Sequence, residues 1–246
     1  MSGLFDPSAW AKVWTYRRTF LLGLGNTALS ALFGLLIAFV IGIVLGLMAT
    51  SGKKVLKAIA RVYVEVIQNT PLLLQLCFLY YALAFSGHSL GILTTGIISL
   101  GIYHGAYVAE VIRAGIESIP KGQFEAAHSQ GFGYVGTMYN IILPQSIKII
   151  LPPMVNQVVN LIKNTSCLYI VGGADLISLT YSFVTGATTG GAYAPAYIVS
   201  GLLFFIVCCP LSTLASKWEN SLKKRESRKN INEAVAMTVS EGEVEA

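Results

Sequence analysis

The sequence predicts an all-α, polytopic membrane protein with about five transmembrane helices. Of its 246 residues, 54% are hydrophobic and only 12% are charged, whereas soluble domains carry roughly a quarter charged residues. Three long segments contain no charged residue, namely residues 19–52, 66–109 and 176–216. Because a helix needs roughly 20 apolar residues to cross a bilayer, runs of this length indicate membrane spans rather than the core of a soluble domain.

The five predicted spans follow these apolar runs in order. A basic cluster at residues 53–61 separates the first span from the second, and a turn at residues 86–89 separates the second from the third. A Gly/Thr-rich loop, residues 172–194, leads to the last span. The spans are placed at about residues 20–48, 62–84, 92–116, 144–171 and 195–214. The chain therefore divides into an N-terminal interfacial segment (1–19), a membrane domain (20–216) and a charged, partly disordered tail (217–246).

The positions of Lys and Arg predict the orientation in the membrane. Thirteen of the 17 lie on the side where span one joins span two, where span three joins span four, or in the C-terminal tail, counting Arg113 and Lys148 near the ends of spans three and four. These sides are predicted to be cytosolic, which with five spans places the N-terminus outside and the C-terminus in the cytosol. Three of the others lie at residues 12–18, in a segment predicted to lie along the membrane interface. The last, Lys163, falls within span four.

Polar residues inside two of the spans mark candidate functional positions. A charge at the bilayer centre costs about 2.5–3.5 kcal/mol on insertion scales, so such residues normally face a cavity or a partner. Glu110 and Arg113 are three residues apart and share a helix face, which fits either a structural ion pair or a solute contact. Asn69, Thr70 and Pro71 interrupt span two, which fits either a packing kink or a cavity wall.

Span four carries a polar stripe at helical spacing. Such a stripe fits a translocation path or a seam between two chains, and the residues alone do not decide between them. In span three, His104 is interpreted as a packing residue, and Gly101 and Gly105 predict close packing against another helix. The stripe consists of Asn156, Gln157, Asn160, Lys163 and Asn164.

The loop between spans three and four, residues 120–144, predicts a helix–glycine–helix elbow in the cytosol. Pro120 is suited to open the first helix. Gly131 is suited to close it in a left-handed conformation. A second short helix, at about residues 134–142, is predicted to end before Pro144. An elbow of this kind with small residues at its tip permits close approach by another surface.

Four motifs in order along the chain carry a resemblance to a known family. They are Gln68-Asn69-Thr70-Pro71-Leu72-Leu73, Tyr107-Val108-Ala109-Glu110-Val111-Ile112-Arg113 with the segment leading to Gln123, Glu125-Ala126-Ala127 with Gly131, and Leu161-Ile162-Lys163-Asn164-Thr165-Ser166. Together they resemble the permeases of ABC importers, and among these the polar amino acid branch. The third motif is similar to that family's EAA loop, which docks into a cleft of a cytosolic ATPase. The resemblance covers about residues 26–216.

The resemblance implies a type I ABC importer permease fold and a function in solute import. The implied partners are a cytosolic ATPase dimer, a second permease chain that is identical or related, and an extracytoplasmic solute-binding protein. No catalytic site, cofactor or metal is expected, and no nucleic acid partner, because no basic face is interleaved with aromatics. The implied ATPase-coupling residues are Gln123, Glu125, Ala126, Ala127 and Gly131.

The candidate substrate pathway combines these motifs with the polar residues of the spans. The resemblance implies a polar amino acid as the solute. Asn164 stands where many family members carry Asp, which favours glutamate, aspartate or glutamine over a cationic solute. The pathway residues are Asn69, Thr70, Glu110, Arg113, Asn160, Lys163, Asn164 and Thr165.

Two other classes of function fit the sequence less well. An intramembrane aspartyl protease needs two carboxylates that share a proton, and the only aspartates are Asp6 and Asp175. A self-contained secondary transporter often shows inverted repeats, and none is evident. The sequence contains no GxxxxGK[ST] pattern, so ATP hydrolysis would require a partner subunit. The identity of the amino acid, and pairing with an identical or a related chain, stay open.

Overall fold

The structure, a computed structural model, describes residues 5–88 and 90–244, and in the last helix it describes side chains as far as Leu222 and at Lys224. Residues 1–4 of the predicted N-terminal segment and Ser89 of the predicted turn lie outside the described residues. The described residues form ten α-helices and no strand. The helices are α1 Pro7–Thr15, α2 Arg17–Thr50, α3 Lys54–Gln68, α4 Leu72–Phe85, α5 Ile92–Glu117, α6 Lys121–Ser129, α7 Tyr134–Thr137, α8 Leu143–Asn164, α9 Leu176–Thr185 and α10 Tyr193–Val244, with a π-helical segment Met138–Ile142 before α8 and a 3-10 segment Thr165–Val171 after it.

Five apolar units of the fold correspond to the five predicted spans. Three helices are long and apolar enough to cross a membrane alone, namely α2, α5 and the Tyr193–Leu222 part of α10. The pair α3 and α4 is bent by 97°, and the helical run Tyr134–Val171 makes an angle of 42° with α9. Within the described residues, the helices that could span a membrane number up to five when each bent pair is counted as one. These features confirm the all-α, polytopic fold.

A seam of glycines holds α2 and α5 together. A Cβ atom added at Gly42 of α2 would lie 2.2 Å from Val108 Cγ1. A Cβ added at Gly101 of α5 would lie 2.5 Å from Ile37 Cβ. Small residues let membrane helices approach closely and pack by van der Waals contact. The seam therefore confirms the close packing predicted for this part of span three.

Span two differs from the prediction of one interrupted helix, because its two halves meet nearly at a right angle. Pro71 has no N–H and stands just before α4, so carbonyl groups at the end of α3 lose their helical partners. The Gln75 side chain replaces those partners by donating to the carbonyl oxygens of Ile67 (3.0 Å) and Thr70 (3.2 Å). The Thr70 hydroxyl donates to the carbonyl of Val66 at 2.8 Å. The break is thus a bend whose backbone groups are paired within the protein, as a membrane interior requires.

Replacement of Gln75 by leucine is expected to destabilise this bend. The substitution removes the amide donor from the carbonyl groups of Ile67 and Thr70, and the Ile67 carbonyl keeps only the longer contact of 3.4 Å with the Thr70 hydroxyl. Loss of a donor to a buried acceptor costs about 1–3 kcal/mol. We expect a lower melting temperature of the detergent-purified protein, measured by intrinsic fluorescence. Phe78→Leu on the same helix is the control, because Phe78 is 73% exposed and should melt close to the wild type. Equal melting of both variants would show that the bend does not depend on the Gln75 amide.

The segment predicted as a Gly/Thr-rich loop, residues 172–194, contains the helix α9, so the loop prediction was wrong for residues 176–185. Asp175 caps this helix by accepting from the backbone N–H of Ile177 at 3.0 Å. Two residues of α2 hold its start: Asn26 donates to the carbonyl of Ala174 (2.8 Å), and Thr27 Oγ1 accepts from the N–H of Leu176 (3.1 Å). The contacts with α2 are long-range, which is why local composition did not reveal the helix.

The N-terminal helix α1 is amphipathic, in line with the interfacial segment predicted from the sequence. Ala9 and Val13 are buried in a cluster with Phe20 and the α9 residue Phe183. On the opposite side, the Trp14 side chain is 72% exposed. An apolar inner face and an exposed aromatic outer face suit a helix that lies at the membrane surface. The side of the membrane that it occupies stays a prediction.

The last helix, α10, extends well beyond the predicted fifth span. It begins at Tyr193 and continues to Val244, so its backbone includes most of the predicted tail. Near its start, the Ser200 and Thr180 hydroxyls lie 2.6 Å apart and join α10 to α9. The partial disorder predicted for residues 217–246 stays a prediction.

Candidate functional site

The helix–glycine–helix elbow forms as the sequence predicts. Helix α6 ends with Gly131 in the left-handed conformation, at φ +83°. The N–H of Gly131 donates to the carbonyl of His128 (2.9 Å), and the N–H of Phe132 donates to the carbonyl of Ala127 (3.0 Å). This pair of hydrogen bonds is the Schellman ending of a helix, which requires a residue at positive φ. A residue that tolerates positive φ, as glycine does, is therefore needed at 131 for the geometry of the turn.

The five predicted coupling residues divide into an outer surface and one anchor. Ala127 is only 1% exposed, so it packs inward and supports the elbow. The other four, Gln123, Glu125, Ala126 and Gly131, are exposed. The four exposed residues thus lie on the outer surface of the elbow, and the buried Ala127 holds the elbow in place.

An exposed apolar patch beside these residues was missed by the sequence reasoning. Val135 is 77% exposed and Tyr139 is 73% exposed, and they are four residues apart on the same helical run. Tyr134 and Phe132 add exposures of 50% and 37%. The spacing of 135 and 139 was the available signal, since two large apolar residues on one helix turn outside the spans need a reason for their exposure.

The second helix of the elbow does not end before Pro144, so that prediction was wrong. A π-helical turn, Met138–Ile142, leads directly into α8. The N–H of Leu143 donates to the carbonyl of Met138, which widens the turn by one residue just before the proline. Proline lacks the N–H that a regular α turn would use at this point, and the wide turn lets the helix continue past it. The second helix of the elbow is consequently continuous with span four.

The first group of predicted pathway residues lies around α3 and the start of the bend. Asn69 is exposed and Thr70 is half-buried. Neither lines the open cleft of about 510 Å³ between α3 and α5, whereas Glu110 and Arg113 do. Arg113 Nε donates to Glu110 Oε2 at 2.9 Å, and the same guanidinium also pairs with Glu117. The ion pair, one of the two interpretations given from the sequence, therefore forms. The cleft is lined by Ala49, Lys57, Ala60, Arg61, Val64, Glu65, Gln68, Ala109, Glu110, Arg113 and Glu117.

The second group lies on span four and faces two directions. Asn164 turns toward α5, where its Nδ2 lies 3.1 Å from His104 Nε2. Thr165 is buried and its hydroxyl donates to the carbonyl of Ile162 at 2.8 Å. Asn160 and Lys163 are exposed. The predicted polar stripe is therefore split into an inner part, Asn164, that contacts α5 and an outer part that the described side chains leave exposed.

His104 was assigned only a packing role, and the structure gives it a polar neighbourhood as well. It is 2% exposed, and beside it the hydroxyls of Tyr103 and Tyr107 lie 3.0 Å apart. Two residues further along α5, the carbonyl of Ala106 accepts from Gln68 at 3.4 Å. Asn164 and Gln68, the residue before Asn69, thus contact neighbouring levels of α5. Within the described residues no hydrogen bond joins Asn69 or Thr70 directly to the residues of span four.

The chain is similar in sequence to known transport proteins. Residues 38–218 match the family described as binding-protein-dependent transport system inner membrane component. The probable glutamine ABC transporter permease protein GlnM of Bacillus subtilis is 40% identical over 202 residues, which cover 82% of this chain and 92% of that protein. The glutamate transport system permease protein GluD of Corynebacterium glutamicum is 31% identical over 239 residues, covering 94% of this chain and 85% of GluD.

Among solved structures, the fold is similar to a chain in the crystal structure of an amino acid ABC transporter with histidines. The two chains share 33% sequence identity and superpose with a TM-score of 0.78. The match covers 86% of this chain and 98% of the other. The family match over residues 38–218 includes the elbow.

Proposed function

The chain belongs to the family of binding-protein-dependent transport system inner membrane components, and from this premise we propose that it is the permease subunit of an ABC importer for polar amino acids. It spans the inner membrane several times, with its N-terminus outside and its C-terminus in the cytosol. The observation that carries the proposal is the α6 elbow. Its outer residues are exposed, while its base is fastened by the buried Ala127 and by the Schellman turn at Gly131.

The elbow is the proposed contact with a cytosolic ATPase dimer. Glu125, Ala126 and Gly131 form the contact end, and the exposed Val135 and Tyr139 extend it with apolar surface. Because the second helix of the elbow continues through the π-helical turn into α8, a displacement of that helix is transmitted directly to span four. This continuity supports a mechanical role for the segment.

Transport is proposed to proceed by alternating access. Two permease chains enclose the pathway, since five spans are few to surround one. When the ATPase dimer closes on ATP, it draws the two elbows together and opens the pathway outward to a loaded binding protein. Hydrolysis separates the elbows and opens the pathway to the cytosol. The permease itself binds, guides and releases the solute, and ATP hydrolysis occurs on the partner subunit.

The proposed solute is glutamate, aspartate or glutamine. The neutral Asn164 offers no carboxylate to a cationic solute, and its amide is already engaged beside His104. The names of two relatives support the same class, since one is described as a probable glutamine permease and the other as a glutamate permease. The proposed pathway runs along Asn69, Thr70, Glu110, Arg113, Asn160, Lys163, Asn164 and Thr165.

The proposal is tested by purifying the tagged chain from its native membrane and identifying the proteins that accompany it. We expect an ABC ATPase and a second permease chain, and ATP-dependent uptake of glutamate or glutamine once the complex and its binding protein are placed in liposomes. A matched assay without ATP should show no uptake. Uptake that persists without ATP or without any ATPase would contradict the proposal and favour a self-contained transporter.

A further inference from the structure

An apolar groove runs along the exposed side of α2, between that helix and helices α8 and α10. It has a volume of about 530 Å³. Gly25 and Ala28 of α2 are exposed in it, and a Cβ added at Gly25 would have no neighbour within 4 Å. Among the described residues that line the groove, Thr27 alone is polar, and its hydroxyl accepts from the N–H of Leu176 at 3.1 Å. The groove therefore offers space to an apolar molecule.

The groove extends over the depth of about one membrane leaflet. On α2 it runs from Leu21 to Leu35, and these 14 residue steps rise about 21 Å. One leaflet with its headgroup region measures about 20–22 Å. At the inner end of the groove, Leu161 Cδ2 lies 3.8 Å from the position of a Cβ added at Gly34, near the centre of α2. The length of the groove thus matches one extended acyl chain.

Two arginines stand where the groove reaches the membrane interface. Arg17 and Arg18 precede Leu21 by about one helical turn and lie on the same face of α2 as Leu21 and Gly25. Arg17 Nη1 donates to the carbonyl of Trp14 at 3.0 Å, and its guanidinium carbon lies 5.1 Å from the centre of the Trp14 ring. Exposed tryptophan is typical of the headgroup level. Among the described side chains, neither arginine takes part in an ion pair.

The groove lies on the opposite side of α8 from its exposed amides. Asn160 is exposed, and the groove residues Val158 and Ile162 each stand two residues away from it, which is a rotation of about 200°. Amide groups are costly to place in lipid, so water or a partner chain is expected against the Asn160 side. The groove side presents apolar surface, which suits contact with lipid.

We propose that this groove binds an anionic phospholipid of the leaflet that contains α1. One acyl chain occupies the groove, and the phosphate binds at Arg17 and Arg18. Guanidinium groups match the geometry of phosphate oxygens, and two positive charges without an ion-pair partner favour a lipid with a net negative charge. Because Arg17 also holds Trp14 of α1, the bound lipid fastens the interfacial helix to the bundle. The inference goes beyond the proposed transport function and does not depend on it.

The test is native mass spectrometry of the full-length protein, purified in detergent, stripped of lipid and titrated with phosphatidylglycerol or with phosphatidylcholine of the same acyl chains. We expect the wild type to bind phosphatidylglycerol at least tenfold more tightly than phosphatidylcholine. The double variant Arg17→Gln/Arg18→Gln should lose this preference and change phosphatidylcholine binding less than twofold. Ala28→Phe fills the groove and should weaken binding of both lipids at least fivefold.

Each variant has a matched control. Lys53→Gln/Lys54→Gln removes two exposed positive charges just beyond the other end of α2, and Ala82→Phe adds the same ring at an exposed alanine on α4, outside the groove. Both controls should bind phosphatidylglycerol as the wild type does. The melting temperature of every variant is measured in parallel. Because Arg17 and Arg18 are exposed, their variant tests the headgroup site even where Ala28→Phe melts early.

Three results would overturn the inference. Equal binding of the two lipids by the wild type, unchanged in the arginine variant, would show an unspecific acyl contact. Displacement of phosphatidylglycerol by an excess of inorganic phosphate would mean that the arginines bind a free anion and that the groove contributes nothing. A lower mass of the Ala28→Phe complex, caused by loss of a partner chain, would assign the groove to a contact between proteins.

Discussion

Replacement of Gly131 by tryptophan is expected to reduce ATP-dependent uptake at least tenfold, while the protein still inserts into the membrane. Gly131 has φ +83° and no neighbouring atom within 4 Å of an added Cβ. The left-handed backbone costs an L-residue about 1–2 kcal/mol, which loosens the Schellman turn. The indole ring also projects from the outer surface of the elbow, where the ATPase is proposed to dock. The measurement is uptake into liposomes, with the amount of co-purified ATPase as a second readout.

Two variants separate the effect of the backbone from that of the bulky side chain. Gly131→Asn should keep most of the activity, because asparagine tolerates positive φ. Gly52→Trp places the same ring at an exposed glycine outside the elbow, again with no atom within 4 Å of the added Cβ, and should transport normally. Normal uptake by a correctly inserted Gly131→Trp protein would refute the proposed coupling role of the elbow.

Gly42→Leu is expected to have the largest effect on folding. The first atom of the new side chain would lie 2.2 Å from Val108 Cγ1 and 3.1 Å from the backbone nitrogen of Ala109. Overpacking in a tight core commonly costs about 1–3 kcal/mol, and we expect a loss at the upper end of that range because backbone atoms cannot move aside. Fluorescence-detected size-exclusion chromatography should show loss of the monodisperse protein peak.

The matched control for this variant is Gly25→Leu on the same helix, where an added Cβ has no neighbour within 4 Å. It should give a normal peak. A second comparison removes the obstructing atoms instead: Gly42→Ala should be destabilised, and adding Val108→Ala should restore part of the loss. If Gly42→Leu behaves like Gly25→Leu, then the two helices do not depend on their close approach.

The positions of the spans were predictable because they depend on the hydropathy and length of single continuous segments of the chain. A charge-free run of bilayer length allows few interpretations, and α2 and α5 begin and end within a few residues of the predicted bounds. The left-handed Gly131 was predictable for a similar reason, since a helix that ends at a glycine uses contacts between near neighbours in the chain.

Features set by contacts between distant segments were not predictable. Pro71 signalled a break in span two, but the 97° angle depends on the packing of both halves against α5 and on the Gln75 amide. Helix α9 is held by Asn26 and Thr27, about 150 residues earlier in the chain. In the same way, the sequence placed Ala127 with the coupling residues but did not reveal that it is buried while its neighbour Ala126 is exposed.

The candidate pathway was predictable as a set of residues but not as an arrangement. Helical spacing placed Asn160, Lys163 and Asn164 on one stripe, and the structure divides them between an exposed side and the side that meets His104. An offset of one residue on a helix is a rotation of about 100°, so residues 163 and 164 belong to neighbouring but different faces. The sequence alone does not state which of those faces another helix covers.

The glycine seam between α2 and α5 has a consequence for the evolution of this sequence. Because position 42 has no space for a Cβ unless Val108 changes, the two positions are under a joint constraint. A permease of this fold with alanine at the position of 42 should carry a residue smaller than valine opposite it. The same covariation should link position 37 to position 101, where the bulky residue lies on α2 and the glycine lies on α5. Such covarying pairs in aligned sequences would indicate, even without a structure, that the two helices lie in close contact.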